Sequence, residues 1–421
     1  MEDGHCMHFV ERKKRFCRCT VREGQRYCGE HQRGNDAGKE RMPCLLDPTH
    51  TCYRSKLKRH LRVCNAKWRL EARPPFVVEG TNLDETIAAP PRVPLSQHNG
   101  FTVATVIMKI HAAYDELPEF SRRILRHKIL DDKLNDKNCG SNVRKHLLQN
   151  ASLLGHLEQA GLVRDNTCFI EFGAGKAQLT YWLGQIIKDK SNSCILPIDR
   201  SSHRHKSDNK LKREDSRLTI NRIRADIADL QLNQIPEIQS IKYKVGIAKH
   251  LCGTATDLTI RCLVKSMNSE PKVDVRGLIV AFCCHHKCEY SSYVGREYLK
   301  QCGFTVNEFP ILCSIVSWAT CGTRLKSNVN SPRDSATRDA TAHDPLTNDP
   351  TWCPWLETLA PNKPWKTNER ETIGRKAKAL LNWGRLVFLE NAGFQAELLY
   401  YTSADVSLEN MCIVATRKFS L

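Results

Sequence analysis

Residues 168–183 read CFIEFGAGKAQLTYWL, and this stretch decides the fold. An apolar run leads into a turn with glycine at positions 173 and 175, and residues 177–183 have a helix-compatible composition. Glycine in such a turn lets a ligand approach the backbone closely. The pattern predicts the first strand, turn and helix of a parallel α/β sheet, with a ligand site at the turn.

Further strands and helices alternate along the chain after this stretch. Helical spacing over 143–157 precedes it, and apolar runs predict more parallel strands at 194–198, 244–248 and 277–282. A long helix from about Glu369 leads to two closely spaced runs, 396–401 and 411–416, which predict an antiparallel edge pair. The order predicts an α/β fold with a Rossmann-like, seven-stranded methyltransferase sheet.

Composition indicates a basic protein of a reducing compartment. Lys and Arg total 64 against 46 Asp and Glu, a formal charge of +18, which favours a polyanionic partner such as nucleic acid. The N-terminus MEDGHCMHFV has no apolar signal-peptide core, and no uncharged run is long enough for a bilayer. We expect an intracellular protein, nuclear or cytoplasmic, with no membrane contact and no obligate protein partner. Its 20 cysteines are then metal ligands or free thiols.

The chain divides by composition into two zinc-finger modules, a linker and a catalytic domain. The first seventy residues are rich in Cys, His, Lys and Arg and too poor in aliphatic residues to form a core, so metal must hold them together. We predict a CCCH zinc finger at 1–35, a CHHC zinc finger at 41–70, a proline-rich linker at 71–105 and a methyltransferase domain at 106–421. Polar insertions are predicted near 200–217 and 327–349.

Two sets of four cysteines and histidines have spacings that suit tetrahedral zinc. The first set has the spacing C-x10-C-x10-C-x2-H and contains Cys6, Cys17, Cys28 and His31, with Cys19 as an alternative to Cys17. The second has the spacing C-x5-H-x9-H-x3-C and contains Cys44, His50, His60 and Cys64. A helix over 53–67 would place the last two ligands on one face. Chance spacing is the alternative for either set.

The candidate cofactor site surrounds the glycine-rich turn. Its predicted residues are Glu171, Gly173, Ala174, Gly175, Asp199 and Asp226. Asp199 ends the second predicted strand, where a carboxylate can accept hydrogen bonds from ribose hydroxyls. Asp226 falls where the third strand should end, and a helix cap is its alternative role. The acidic Glu171 and the lack of a second mononucleotide-binding half favour S-adenosylmethionine over NAD.

The candidate reaction centre lies after the next two strands. Lys249-His250-Leu251-Cys252-Gly253 follows the fourth predicted strand, and Cys283-Cys284-His285-His286 follows the fifth. Both motifs therefore sit at the carboxyl end of the sheet, where ligands bind in parallel α/β folds. Buried structural thiols or a third metal site are the alternatives to a pocket lining.

The motifs together resemble a known family. These motifs are EFGAGK, KHLCG with the following TATDL, CCHH, ER with IGRKAK at 373–378, and Glu409-Asn410. They are similar to motifs of the eukaryotic tRNA acceptor-stem 2′-O-methyltransferases with CCCH and CHHC zinc fingers, the tRNA:Xm4 methyltransferases. The resemblance spans nearly the whole chain. It implies methyl transfer from S-adenosylmethionine to the ribose 2′-hydroxyl of nucleotide 4 in the acceptor stem of a tRNA. One departure is Ala177, where family members commonly have glycine.

Such a transfer requires alignment of the methyl donor with an oxygen and the loss of a proton. Lys249 and His250 are the candidates that assist this loss, and His285 and His286 are reserve candidates because histidine titrates near neutrality. One alternative function is an RNA cytosine-C5 methyltransferase with Cys283 or Cys284 as the nucleophile. Another is a non-catalytic zinc-finger RNA-binding protein.

Overall fold

The computed structural model describes residues 5–11, 15–17, 19–21, 23–28, 31, 40–48, 50–64, 66, 73–84, 88–201, 203, 207–214, 218–320 and 366–417. These residues form two compact units that meet in sequence at Pro74 and Pro75. The predicted insertion at 327–349 lies outside the described residues. No helix among the described residues is long and apolar enough to cross a membrane.

The first unit consists of two small β-ribbons and one short helix. Its elements are β1 Phe9–Val10, β2 Arg15–Phe16, β3 Arg41–Pro43, β4 Thr51–Tyr53 and α1 Leu57–Val63. The buried apolar cluster around Cys44, Cys64 and Ala66 is too small to stabilise a fold on its own. The helix predicted over 53–67 is shorter than expected: a 3-10 turn, Arg54–Lys56, precedes α1, and the backbone at Cys64 is already extended.

The second unit is built on a seven-stranded sheet. Its strands are β5 Thr167–Phe172, β6 Cys194–Ile198, β7 Thr219–Ile220, β8 Tyr243–Cys252, β9 Val275–Cys283, β10 Gln395–Tyr400 and β11 Met411–Thr416. Their order across the sheet is β10-β11-β9-β8-β5-β6-β7. Within this sheet β11 runs in the direction opposite to the other six strands. The predicted methyltransferase-type sheet with an antiparallel edge pair is therefore confirmed.

Helices cover both faces of this sheet. They are α2 Gly100–Asp115, α3 Asp131–Asn135, α4 Ser141–Gln159, α5 Gln178–Ile187, α6 Ser207–Glu214, α7 Pro236–Ser240, α8 Thr254–Asn268, α9 Arg296–Gln301, α10 Phe309–Ile315 and α11 Thr367–Asn391. One apolar layer joins the sheet to α4 and α5, and the opposite layer joins it to α8 and α11. Apolar burial on both faces explains why the strands read as continuous apolar runs.

The region after β6 differs from the sequence prediction. The third strand, β7, ends at Ile220 rather than at Asp226, and beyond it an isolated bridge joins Ile223 to Ile198 at the end of β6. The polar stretch predicted as an insertion near 200–217 contains α6, whose Leu211 is buried against Gly184 of α5. Leu211 and the Asp208 side chain, which pairs with Arg222, are the buried residues of this otherwise polar and exposed helix.

Described residues of the predicted linker, from Pro75 onward, belong to the second unit. The Val78 amide donates to the Asp229 carbonyl at 2.7 Å, and the buried Asn82 side chain donates to the Ile227 carbonyl at 2.7 Å. Helix α2 begins at Gly100, with the Asn99 side chain as its N-cap. These hydrogen bonds hold the segment against the stretch between β7 and α7.

Candidate active site and metal centres

The glycine-rich turn after β5 has a left-handed backbone at three positions. The φ angles are 65° at Gly173, 50° at Gly175 and 58° at Ala177. A Cβ added at Gly175 would meet no heavy atom of the described residues within 4 Å, whereas one at Gly173 would lie 2.8 Å from Leu251. The positive φ at 173 favours glycine there, and the backbone at 175 is open to a ligand.

Ala177 is the strained member of this turn. It is the N-cap of α5, is fully buried and has φ 58° and ψ 42°. A residue with a Cβ in this region costs about 1–2 kcal/mol relative to a right-handed conformation. The departure from glycine noted in the sequence thus falls at a position where glycine would be free of strain.

Two predicted acidic residues bind backbone groups near the turn. The Asp199 carboxylate accepts hydrogen bonds from the amides of Gly175 and Ser201, both at 2.7 Å. Asp226 caps a 3-10 turn by accepting from the Ala228 amide at 3.1 Å. Asp199 therefore joins the end of β6 to the glycine-rich turn. For Asp226 the structure shows the alternative role, a cap.

Glu171 lies buried beneath the turn. Its carboxylate accepts hydrogen bonds from the amide of Thr180, at 2.9 Å, and from the Thr180 hydroxyl. Burial raises the pKa of Glu171 to about 7, although the hydrogen bonds from Thr180 and the nearby Lys249 oppose the rise. Glu171 thus ties β5 to the first turn of α5.

Lys249 lies between the sheet and α4. Its Nζ donates to the Asn150 side-chain oxygen at 2.7 Å and to the His146 carbonyl at 3.1 Å. Burial lowers the pKa of Lys249 to about 8, and the Glu171 carboxylate only partly opposes this shift. An ordinary lysine is almost fully charged at neutral pH, whereas about a tenth of Lys249 is neutral at pH 7.

His250 adjoins Lys249 and also contacts α4. Its Nε2 lies 2.7 Å from the Gln149 side-chain oxygen, and its backbone has φ 56°. Burial, together with the nearby Lys249 and His146, lowers the pKa of His250 to about 4. The imidazole is therefore neutral at physiological pH, and its Nε2–H donates a hydrogen bond to the Gln149 side-chain oxygen.

Sequence reasoning missed Gln149 and Asn150, which position these two residues. Both are buried in α4, at 3% and 1% exposure, among leucines that pack on the sheet. The signal in the sequence is an adjacent polar pair inside an apolar helical face, because buried amides require partners. The partners themselves, about one hundred residues away, are not readable from the sequence.

His285 lies in the interior rather than at a surface that a substrate can reach. It is 2% exposed, and its Nε2 lies 2.8 Å from the side-chain oxygen of Asn382 in α11. Asn382 also accepts from Arg385, whose guanidinium forms a fully buried ion pair with Asp257 at 2.8 Å. Burial lowers the pKa of His285 well below its usual value, and Arg385 contributes to the decrease. His285 therefore anchors its turn to α11 and α8.

The first predicted zinc quartet is assembled in the first unit. One ligand atom from each of Cys6, Cys17, Cys28 and His31 lies within 4.8 Å of the others. His31 Nδ1 is 3.4 Å from the Sγ atoms of both Cys6 and Cys28. Cys19 is exposed and lies outside this cluster, so the structure brings Cys17 to the site.

The second quartet, Cys44, His50, His60 and Cys64, is equally compact. The two Sγ atoms are 3.6 Å apart, and the two histidine Nε2 atoms are 3.2 Å apart. Tetrahedral zinc with Zn–S bonds of about 2.3 Å places two thiolates about 3.8 Å apart, close to these separations. Both quartets therefore fit zinc, which would supply the folding energy that the small apolar cluster does not.

The residues around the glycine-rich turn fit S-adenosylmethionine. The open backbone at Gly175 and the carboxylate of Asp199 lie together at the carboxyl end of β5 and β6, where parallel α/β folds bind nucleotides. The cofactors predicted from the sequence are therefore supported: zinc fits the first unit and S-adenosylmethionine fits the second. A zinc-binding module joined to a Rossmann-like transferase sheet defines the class: a zinc-finger methyltransferase.

Comparison with known proteins identifies the family. The profile described as "Methyltransferase TRM13" matches residues 148–416, and "CCCH zinc finger in TRM13 protein" matches residues 4–32. The chain is 36% identical to the mouse "tRNA:m(4)X modification enzyme TRM13 homolog" and 35% identical to the human one, in each case over 98% of this chain and 94% of the relative. It is 30% identical to the Saccharomyces cerevisiae TRM13 enzyme, over 98% of this chain and 96% of the relative. The chain belongs to the TRM13 methyltransferase family.

Proposed function

We propose that this protein transfers a methyl group from S-adenosylmethionine to the ribose 2′-hydroxyl of nucleotide 4 in the acceptor stem of a tRNA. The names of its relatives, tRNA:m(4)X modification enzymes, support the tRNA and the position. The net charge of +18 is compatible with a polyanionic substrate. When bound, S-adenosylmethionine supplies an electrophilic methyl group.

The observation that carries the choice of an oxygen acceptor is the hydrogen bonding of Lys249. Its Nζ donates two hydrogen bonds, to the Asn150 side chain and to the His146 carbonyl. A neutral amine has two N–H groups and one lone pair, so these acceptors use both donors and leave the lone pair available. A charged ammonium has a third N–H, and in this half-buried place the Asn150 oxygen and the His146 carbonyl are already used by the other two.

A hydroxyl becomes a better nucleophile as it loses its proton, and a base with a pKa near the working pH is best suited to accept it. Lys249 has this property because its pKa is lowered to about 8. We assign Lys249 as the group that accepts the 2′-hydroxyl proton. Asn150 and Gln149 act as positioning residues, since they hold Lys249 and His250 against α4.

The cofactor side of the site would be formed by Gly173, Ala174, Gly175 and Asp199. Glu171 contributes indirectly, because its bonds to Thr180 fix the start of α5 and hence the turn before it. Asp226 supports the same edge through its cap at Ala228. In this assignment the glycine-rich turn orients the methyl donor, and Lys249 faces the hydroxyl that accepts the methyl group. Lys249 lies on β8 two residues after Ile247, which pairs with Glu171 on β5.

The chemical stability of the product tests this proposal. Purified protein is incubated with tRNA and methyl-labelled S-adenosylmethionine, and the tRNA is then hydrolysed in alkali. A 2′-O-methyl group blocks attack on the adjacent phosphate, so we expect the label in an alkali-stable dinucleotide that begins at nucleotide 4. Label in a mononucleotide would show base methylation and contradict the proposal.

A further inference from the structure

Three cysteine thiols that the methyl-transfer assignment leaves unused converge at the ends of β8 and β9. Cys252 and Cys283 are register partners in this parallel pair, and Cys284 follows immediately. One Sγ from each lies within 4.8 Å of the others, and those of Cys283 and Cys284 are 3.2 Å apart. The three thiols come from two strands that are separate in the sequence, so the sheet itself assembles the cluster.

The backbone on both sides of the cluster is held in unusual conformations. Cys284 has φ 46° and ψ 47°, a left-handed conformation that folds its side chain back toward Cys283. Gly253 has φ 48°, and a Cβ there would lie 2.6 Å from the Lys287 carbonyl carbon. The Thr254 hydroxyl donates to the Lys287 carbonyl at 2.9 Å and joins the two turns. Such strain persists where the surrounding structure imposes it, and it is common at ligand sites.

We propose that Cys252, Cys283 and Cys284 form a third metal site that binds a thiophilic divalent cation such as Zn²⁺. Each thiol would lose its proton to solvent as its sulfur–metal bond forms, and a solvent molecule would complete the tetrahedron. In the two finger quartets the paired Sγ atoms are 3.6 Å and 3.9 Å apart, whereas those of Cys283 and Cys284 are closer, at 3.2 Å, and would move apart slightly on binding the ion. Lys287 and His286, beside Cys284, would offset the negative charge of three thiolates.

Three soft ligands select the class of metal. Sulfur ligands favour Zn²⁺ and other thiophilic ions over Mg²⁺ or Ca²⁺, which prefer oxygen. The bound ion would join the end of β8 to the end of β9, three residues after Lys249. The site is independent of the identity of the methylated atom, so the proposed function and the metal site can fail separately.

Metal content tests the proposal on the full chain. Protein loaded with Zn²⁺ and freed of excess metal is analysed by mass spectrometry of the elements, as wild type and as the triple variant Cys252→Ser/Cys283→Ser/Cys284→Ser. The control is Cys139→Ser/Cys302→Ser, which removes two half-buried thiols outside the cluster. We expect the triple variant to contain one zinc fewer per chain than wild type and the control to lose none. Equal zinc in the triple variant and the wild type would overturn the proposal.

A second measurement uses the wild type alone and does not depend on the folding of a variant. Iodoacetamide alkylation is mapped by peptide mass spectrometry, with Zn²⁺ bound and after removal of metal by a chelator. We expect chelation to increase alkylation of Cys252, Cys283 and Cys284 at least tenfold, while that of Cys139 and Cys302 stays constant. Equal alkylation of the three thiols in both states, or a disulfide among them in the metal-loaded protein, would overturn the proposal.

Discussion

Replacement of Asn150 by aspartate should displace the pH dependence of methyl transfer. The Asn150 side-chain oxygen accepts a hydrogen bond from Lys249 Nζ at 2.7 Å, so Asn150→Asp places a carboxylate next to the amine with little change in shape. A negative charge there stabilises the ammonium form and raises the pKa of Lys249 from about 8. Because the neutral amine accepts the proton in our account, the rising limb of the pH–rate profile should move to higher pH.

The size of the shift follows from the short separation of the two charges. At an effective dielectric constant of about 20, unit charges this close attract by about 6 kcal/mol, which is an upper bound because burial also disfavours the new carboxylate. Nearby opposite charges typically shift a pKa by about 1–3 units. Each unit reduces the neutral fraction about tenfold, so transfer at pH 7 should fall by about 10-fold or more.

Single-turnover rates at saturating cofactor and tRNA, from pH 6 to pH 10, measure this effect. The titratable groups that face Lys249 are Glu171 and His250 on the sheet and His146 on α4, and all remain in the variant. Gln149→Glu is the matched control, because it adds the same charge on α4 next to His250. The reasoning is refuted if Asn150→Asp leaves the inflection near pH 8 or lowers it, or if the control shifts it equally.

Three further changes test the account of stability. Lys249 is charged below pH 10.5 in the unfolded protein but only below about pH 8 in the folded protein, so between these values the unfolded state binds one more proton. The free energy of unfolding of the wild type, measured by urea titration, should therefore rise across this range by up to about 3 kcal/mol relative to Lys249→Met. If the two proteins depend on pH in the same way, the pKa of Lys249 is not lowered by burial. Arg385→Met should lower the free energy of unfolding by about 3–5 kcal/mol because it leaves the Asp257 carboxylate buried and unpaired. The double variant Asp257→Leu/Arg385→Met should recover most of this stability. A double variant as unstable as Arg385→Met would contradict this explanation. The backbone at Ala177 is left-handed, so Ala177→Val should destabilise the protein by about 2 kcal/mol or more in thermal unfolding. Ala177→Gly should stay within about 1 kcal/mol of the wild type. Equal effects of the two substitutions would show that backbone strain is not the cause.

Most of the sheet was predictable from the sequence because its strands are buried on both faces. Apolar runs without interruption gave β6 and β11 to the residue, and β5, β8 and β9 within a few residues. The predicted end of the third strand, at Asp226, was wrong because β7 is only two residues long. Among the described residues, the chain that follows β7 makes no bridge to β6 beyond Ile223. Apolar periodicity reports burial and does not report where hydrogen bonding ends.

The site was predictable in position but not in its contacts. The strand ends placed Lys249 and His250 at the carboxyl edge of the sheet, because this edge follows from strand order alone. Their amide partners in α4 depend on how that helix packs, which no local pattern specifies. The burial of His285 against Asn382 was not predictable, because a histidine after a strand has the same sequence pattern whether it faces a pocket or a buried asparagine.

The most direct test of the central claim uses two tRNA substrates that each contain a single deoxyribose. One has it at nucleotide 4 and the other at nucleotide 3, and methyl transfer to each is followed with labelled S-adenosylmethionine. The account predicts that transfer is abolished by deoxyribose at nucleotide 4 and is retained with deoxyribose at nucleotide 3. Continued transfer to the tRNA that lacks the 2′-hydroxyl at nucleotide 4 would contradict it.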